Sequence, residues 1–314
     1  MNRRSFFISS NPAAAGIRHE RTSRLVGGPT RRAVLTGAAG AVLATVAKGP
    51  LAQAKIRGVE LGVCGKPDDI SKIEQYGFDY LEPSGSGIAN MTDTAFAAFR
   101  DQVKASKVYC QSVITLISNP KLKVVGPDVD LDAVSSYLDS TLDRCKSLGV
   151  SVAVWGSAGS RRVPDGYSRD TAWDQIKAYL KRAGEIAKSK QIVIGIEPLR
   201  KQESNIINSG AEALRLVHEV NHPGVKMIID YYHMRIENED PEIVRTAKEH
   251  IVHLHFANPA GRRWPHSDDE DPVYARFFKI LKEIDYKGGL SIEGTGSFEA
   301  DGAASMAFFK SELA

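Results

Sequence analysis

Cysteine is scarce in this 314-residue chain. Cys64, Cys110 and Cys145 are the three present, and no two stand at a metal-knuckle spacing or suggest a disulfide framework. Each lies in an apparent strand or helix and reads as a buried thiol. A nucleotide loop is missing too. The glycine-rich stretch at 156–166 has neither dinucleotide glycine spacing nor a Gly-Lys-Ser/Thr ending. No apolar run is long enough for a convincing membrane span, since the best one, around residues 33–46, is short and rich in Ala, Gly and Thr. A basic surplus is absent from the body of the chain. Of 41 Lys and Arg, eight fall in residues 1–54 with Glu20 as the one acid there, which leaves 33 basic against 37 acidic residues, a net of −4. That balance excludes nucleic acid and anionic membrane as partners of the main domain.

What the first 54 residues do contain is Thr30-Arg31-Arg32-Ala33-Val34-Leu35, a weakly apolar stretch, Lys48, and the small-residue site Ala52-Gln53-Ala54. This resembles a twin-arginine signal peptide. It implies the twin-arginine translocase as a partner during export, a periplasmic mature protein over residues 55–314, and no stable membrane insertion after cleavage. The pair Arg31-Arg32 lies far from Met1, and Arg3-Arg4 is a poorer second pair, so translation is expected to start near Leu25 or Val26.

From Gly58 onward, strand-like and helix-like patterns alternate without linker or repeat. The expected strands are residues 59–64, 78–81, 109–116, 151–155, 192–196, 225–229, 251–254 and 288–293. Helices are expected between them, over 67–76, 93–106, 131–148, 172–190, from Ser209 with a Ser-x-x-Glu capping box, after Asp240-Pro241 and Asp271-Pro272, and over 303–313. Eight such pairs make a single-domain (β/α)8 TIM barrel.

Four of these strands end in a metal-competent group: Glu197, Asp230, His255 and Glu293. Their separations of 33, 25 and 38 residues each accommodate one strand, one helix and two loops. The groups therefore reach the same rim of a parallel barrel, where barrel chemistry is placed. Three carboxylates and one imidazole suit a divalent cation, Mn2+ first, with Mg2+, Co2+ or Zn2+ also compatible. Arg161, in the glycine-rich loop on that rim, reads either as a contact for substrate oxygens or as part of a solvated turn.

Glu197-Pro198-Leu199 with Glu203 six residues on, Asp230 with His233, His255 with an arginine shortly after it, and Ser291-Ile292-Glu293 at the last strand resemble the xylose-isomerase-like TIM barrels. The likeness is to the sugar isomerase and epimerase branch that includes D-tagatose 3-epimerase. It implies that Glu197, Asp230, His255 and Glu293 bind one divalent metal, and that Glu203, His233 and Arg262 contact a sugar, with Arg263 open as the alternative arginine. DNA repair, a role of relatives with more histidines, is not implied, because Cys64, Glu82 and Leu116 at the first three strand ends offer none.

The implied chemistry is proton abstraction beside a carbonyl through an enediolate, with Glu197 and Glu293 as the catalytic pair on an unphosphorylated keto sugar. A lyase or hydratase acting on 3-keto-glycosides shares the first step, and a non-catalytic, metal-bearing sugar-binding protein is the third reading. Oligomerisation is open. Export and the lack of a convincing phosphate loop both argue against a sugar phosphate, Gly294-Thr295-Gly296-Ser297 being the nearest candidate.

Overall fold

The computed structural model describes residues 58–314, so the expected signal segment 1–54 lies outside the described residues. Eight strands form one parallel sheet: β1 Glu60–Gly65, β2 Tyr80–Pro83, β3 Ser112–Val113, β4 Val152–Trp155, β5 Val193–Ile196, β6 Val225–Asp230, β7 Ile251–Phe256 and β8 Gly289–Ile292. Their order, β2-β1-β8-β7-β6-β5-β4-β3, is that of a ring. The seam between β2 and β3 is joined by isolated bridges, Tyr80 to Tyr109 and Ser84 to Ile114. The expected strand over 109–116 thus reduces to a two-residue ladder flanked by those bridges. It stops at Thr115, whose φ of 52° lies in the left-handed region where a strand cannot continue.

The helices outside the ring are α1 Ile70–Tyr76, α2 Gly85–Asn90, α3 Asp93–Ala105, α4 Leu131–Ser147, α5 Ala158–Arg161, α6 Arg169–Ser189, α7 Gly210–Val220, α8 Tyr231–Ile236, α9 Glu242–Thr246, α10 Tyr274–Glu283 and α11 Ala303–Leu313. Local chemistry sets their ends. Gly77 closes α1 at φ 83°, and Ser168 caps α6 through the Thr171 N–H. Ser209 caps α7 as its spacing predicts, but Glu212 reaches the N–H of Asn208, not that of Ser209, so the capping box is displaced by one residue.

The main core lies between sheet and helices. Its densest part is aromatic: Phe256 stacks on Tyr231 at 4.5 Å and meets Tyr274, Phe277, Phe278, Phe308 and Phe309. This cluster anchors the C-terminal ends of β6 and β7, the strands that carry Asp230 and His255. Inside the barrel the filling is mixed. Val152, Val154 and Ile228 form a small apolar cluster. A polar layer also fills it, with Tyr80 Oη 2.7 Å from Ser291 Oγ. Gly62 is obligatory there, since a Cβ on it would lie 2.2 Å from the Tyr80 ring. Cys110 and Cys145 are buried, with thiols pushed up to about 12 by desolvation, as expected of inert core thiols.

Candidate active site at the C-terminal rim

The register between β6 and β7 decides what faces the barrel axis. Met227 pairs with Ile251 but Ile228 pairs with His253, so Val252 is an extra residue, and the bulge sets Asp230 beside His255. Glu197 directly follows β5, and Glu293 directly follows β8. Ligand atoms of Glu197, Asp230, His255 and Glu293 all lie within 4.8 Å of one another. His255 Nδ1 is 2.9 Å from Glu197 Oε1 and 3.0 Å from Glu293 Oε2.

The Asp230 carboxylate is divided between two tasks. Oδ1 accepts the His233 N–H and caps α8, while Oδ2 is buried and makes no hydrogen bond, with Arg262 Nη2 and His233 Nε2 each 3.5 Å away. Three carboxylates crowded around one imidazole repel one another, and a buried orphan oxygen is costly. A divalent cation relieves both, and oxygen donors with one imidazole nitrogen are a set that such an ion accepts. The residues therefore fit the group. Burial alone would push the His255 imidazole down, but Glu82, Glu293 and Glu197 together hold it well above the ordinary histidine value.

Of the four groups, Glu197 and Glu293 line a cavity of about 370 Å3. One wall is the segment after β3, with Ile114, Ile117, Asn119, Pro120 and Lys123. Another is Gly156–Ser160, and the floor and far side bring in Glu197, Leu199, Glu203, His233, Arg262 and Glu293. His233 has a defined tautomer. Its Nδ1 accepts the Arg200 N–H at 3.2 Å, so the proton sits on Nε2, which is buried and lacks a partner. The acceptors nearest to it are Asp230 Oδ2 at 3.5 Å and Glu203 Oε2 at 3.9 Å.

Arg262 sits at φ 51°, in the left-handed region, and its guanidinium reaches Glu293 Oε1 at 2.7 Å and Glu203 at 3.6 Å while covering the Tyr232 ring. Burial would lower its pKa, but Glu293, Asp230 and Glu203 raise it, and it stays a cation. Arg263 instead donates to the Ala260 carbonyl on the exposed side. Of the two arginines left open by the sequence, Arg262 lines the cavity.

Arg161 is elsewhere. The glycine-rich loop does form the rim as expected, but this side chain turns inward and is fully buried. Its guanidinium donates to the carbonyls of Trp155 and Glu197 and lies over the Trp155 ring. The expected contact with substrate is thus corrected. Arg161 ties the ends of β4 and β5 together behind Glu197, and desolvation lowers its pKa to about 10.

Three residues escaped the sequence reading. Gly156 must lack a side chain, since a Cβ there would fall 1.7 Å from Glu197 Oε2. Glu82, at the end of β2, is fully buried between two imidazoles, 2.8 Å from His253 Nε2 and 3.2 Å from His255 Nε2. The signal for His253 was present in its i, i+2 spacing to His255, which puts both on one face of a strand.

In the eighth unit the Gly294–Ser297 turn uses its own donors. The Thr295 N–H goes to the Arg262 carbonyl, and the Ser297 N–H to Asp301 Oδ2 at 2.7 Å. The Asp301 carboxylate thus takes one donor of this turn. Among the described residues no helix is long and apolar enough to cross a membrane.

Residues 70–312 match the family model described as xylose isomerase-like TIM barrel. The chain is 26% identical over 238 residues to D-psicose 3-epimerase of Ruminiclostridium cellulolyticum, covering 71% of this chain and 76% of that protein. It is 25% identical over 228 residues to 3-dehydro-D-guloside 4-epimerase of Escherichia coli, covering 71% of this chain and 84% of that one. A crystal structure of D-psicose 3-epimerase in the presence of D-fructose superposes with a TM-score of 0.73 at 19% identity, over 81% of this chain and 99% of the other. Relatives that are ketose and keto-glycoside epimerases support a sugar epimerase or isomerase function here.

Proposed function

Because the chain belongs to the xylose isomerase-like TIM barrel family, we propose that it is a divalent-metal-dependent epimerase of an unphosphorylated keto sugar, with Mn2+ as the preferred ion. The observation that carries this is the convergence of Glu197, Asp230, His255 and Glu293, two of which, Glu197 and Glu293, line a cavity together with His233 and Arg262. Held by those four residues, the cation would polarise the substrate carbonyl and stabilise negative charge on its oxygen as the neighbouring carbon loses a proton.

The chain's own residues supply the remaining steps. Glu197 takes the proton from carbon, leaving the substrate as an enediolate. A protonated Glu293 returns one to the same carbon from the other face. The two carboxylates have then exchanged protonation states, and exchange with solvent resets them. General acid–base groups of this kind contribute about 10²- to 10⁴-fold each. His233 donates to a substrate oxygen through Nε2–H, and Arg262, held over Tyr232 and against Glu203, fixes a second oxygen. The Asp301 carboxylate, accepting the Ser297 N–H of the Gly294–Ser297 turn, sets a negative charge there and supports an unphosphorylated substrate.

A 3-keto-glycoside is the second substrate reading. The wall that holds Lys123 also offers Ile114, Ile117 and Pro120 as apolar contacts for an aglycone, and one relative is by name a 3-dehydro-D-guloside 4-epimerase. Export by the twin-arginine route to the periplasm belongs to the same proposal, since it separates the enzyme from sugar kinases.

Incubation of the Mn2+-loaded protein in heavy water with free ketoses, their phosphates and 3-keto-glycosides tests all of this at once. Carbon-bound deuterium in the unphosphorylated sugars, followed by NMR, is the expected result. Release of aglycone would make the enzyme a lyase. Exchange confined to phosphates would overturn the substrate class, and no exchange in any sugar would leave a binding protein.

A further inference from the structure

We infer that Glu82 is a positioning residue: a buried carboxylate under the site that fixes the orientation and tautomer of His255 so that Nδ1 presents its lone pair to the cation. The inference rests on the cation-site reading above. Nδ1 of His255 is the nitrogen facing the carboxylates of Glu197 and Glu293. Its other nitrogen, Nε2, is 3.2 Å from Glu82 Oε1. A carboxylate only accepts, and Nδ1 has one too, Glu197 Oε1 at 2.9 Å; a cation held by these carboxylates takes the Nδ1 lone pair, and the hydrogen bond to Glu82 is what keeps the remaining ring proton on Nε2.

Glu82 is itself held. It is fully buried on β2, and its second oxygen is 2.8 Å from His253 Nε2. The Nε2 of His253 also has Ser291 Oγ at 3.4 Å and Ser112 Oγ at 3.5 Å. His253 and His255 stand nearly perpendicular, with interplanar angle 89° and ring centroids 5.1 Å apart, so one carboxylate serves two rings from two strand positions on the same face. The link therefore runs from β2 across the barrel axis to β7, joining strands that are not neighbours in the sheet. Cys64 Sγ, Glu82 and His255 also fall within 4.8 Å of one another, but an ion there would need the same Nε2 lone pair that this hydrogen bond removes.

The experiment measures Mn2+ binding by electron paramagnetic resonance of the free ion in wild type, Glu82→Gln and Glu82→Ala, with thermal unfolding as the folding control. In parallel, the Zn2+-loaded wild type is read by 15N NMR of its histidines. Glu82→Ala removes the acceptor of His255 Nε2 and leaves His253 only the hydroxyls of Ser291 and Ser112, and one oxygen remains for two rings in Glu82→Gln. Loss of such an outer hydrogen bond typically weakens metal binding about 10- to 100-fold. We expect that loss in Glu82→Ala, a smaller one in Glu82→Gln, one ion per wild-type chain, and a His255 signal with the proton on Nε2.

A folded Glu82→Ala whose Kd stays within twofold of wild type overturns the inference. So does a His255 Nε2 without a proton, or two ions per chain. If neither variant folds, the wild-type NMR result decides alone. A wild type that binds no Mn2+ ends the cation-site reading instead, so the two ideas fail separately.

Discussion

At the scale of single residues, the site divides its carboxylates by what else each one touches. Asp230 spends one oxygen on the α8 cap, whereas Glu197, Glu203 and Glu293 line the cavity, Glu203 held by Arg200 and Arg262. Glu197→Gln and Glu293→Gln should each lower deuterium exchange by at least about 10²-fold with the ion in saturating excess, because an amide keeps the shape but carries no proton. Exchange at the wild-type rate in both variants would remove the two-glutamate mechanism, and circular dichroism checks the fold.

His255 gives a pH dependence with a definite sign. Burial opposes its charge, but Glu82, Glu293 and Glu197 raise its pKa well above the usual 6.5 in the metal-free protein. A raised pKa means the imidazolium stabilises the metal-free fold below the unfolded-state value, and that this contribution is lost as pH climbs through the folded-state value. A metal ligand must be neutral, so binding expels that proton. Apparent Mn2+ affinity should therefore rise with pH until the folded-state value is passed, by up to roughly tenfold per unit for one proton, and level off beyond it. Calorimetry in buffers of different ionisation enthalpy counts the proton released, and a pH-independent affinity would contradict the assignment.

At the scale of elements, the short α5 shows how a rim loop is made rigid. Arg161 closes it by donating to two carbonyls at the ends of β4 and β5, and Gly156, just before it, leaves the space that the Glu197 carboxylate fills. Hydrogen bonds to a charged group are worth about 1.5–3 kcal/mol each, and the carbonyls would be left buried. Arg161→Ala should thus cost about 3 kcal/mol or more in thermal or denaturant unfolding. A substrate contact would behave otherwise, raising KM and leaving stability unchanged, so the two measurements separate the roles. The bulge between β6 and β7 matters at the same scale. One extra residue, Val252, sets which side chains of β7 point inward.

At the scale of the whole molecule, the cation site draws on β5, β6, β7 and β8, half of the ring, so an ion bound there stabilises the closed barrel and nothing comparable in the unfolded chain. Free Mn2+ at 100 times Kd should add about 2.7 kcal/mol, which in a domain of this size is a rise of roughly 5–10 °C in Tm. Chelation should reverse it, and a Tm indifferent to Mn2+ would argue against the four-residue site.

Much of this architecture was legible in the sequence, because the barrel is written in a repeating local code. Apolar runs of strand length, amphipathic helices and cap residues depend on near neighbours, so eight units and four functional strand ends could be counted along the chain. The family motif added Glu203, His233 and an arginine. What the sequence could not decide depended on distances between residues far apart in the chain. Arg262 rather than Arg263 lines the cavity because it reaches Glu293 and Glu203 from distant strand ends, while Arg263 turns back to the Ala260 carbonyl. Arg161 leaves the cavity because two strand-end carbonyls accept its guanidinium. Glu82 lies 171 residues from His253 and 173 from His255, and only closure of the ring brings that carboxylate beneath the two imidazoles.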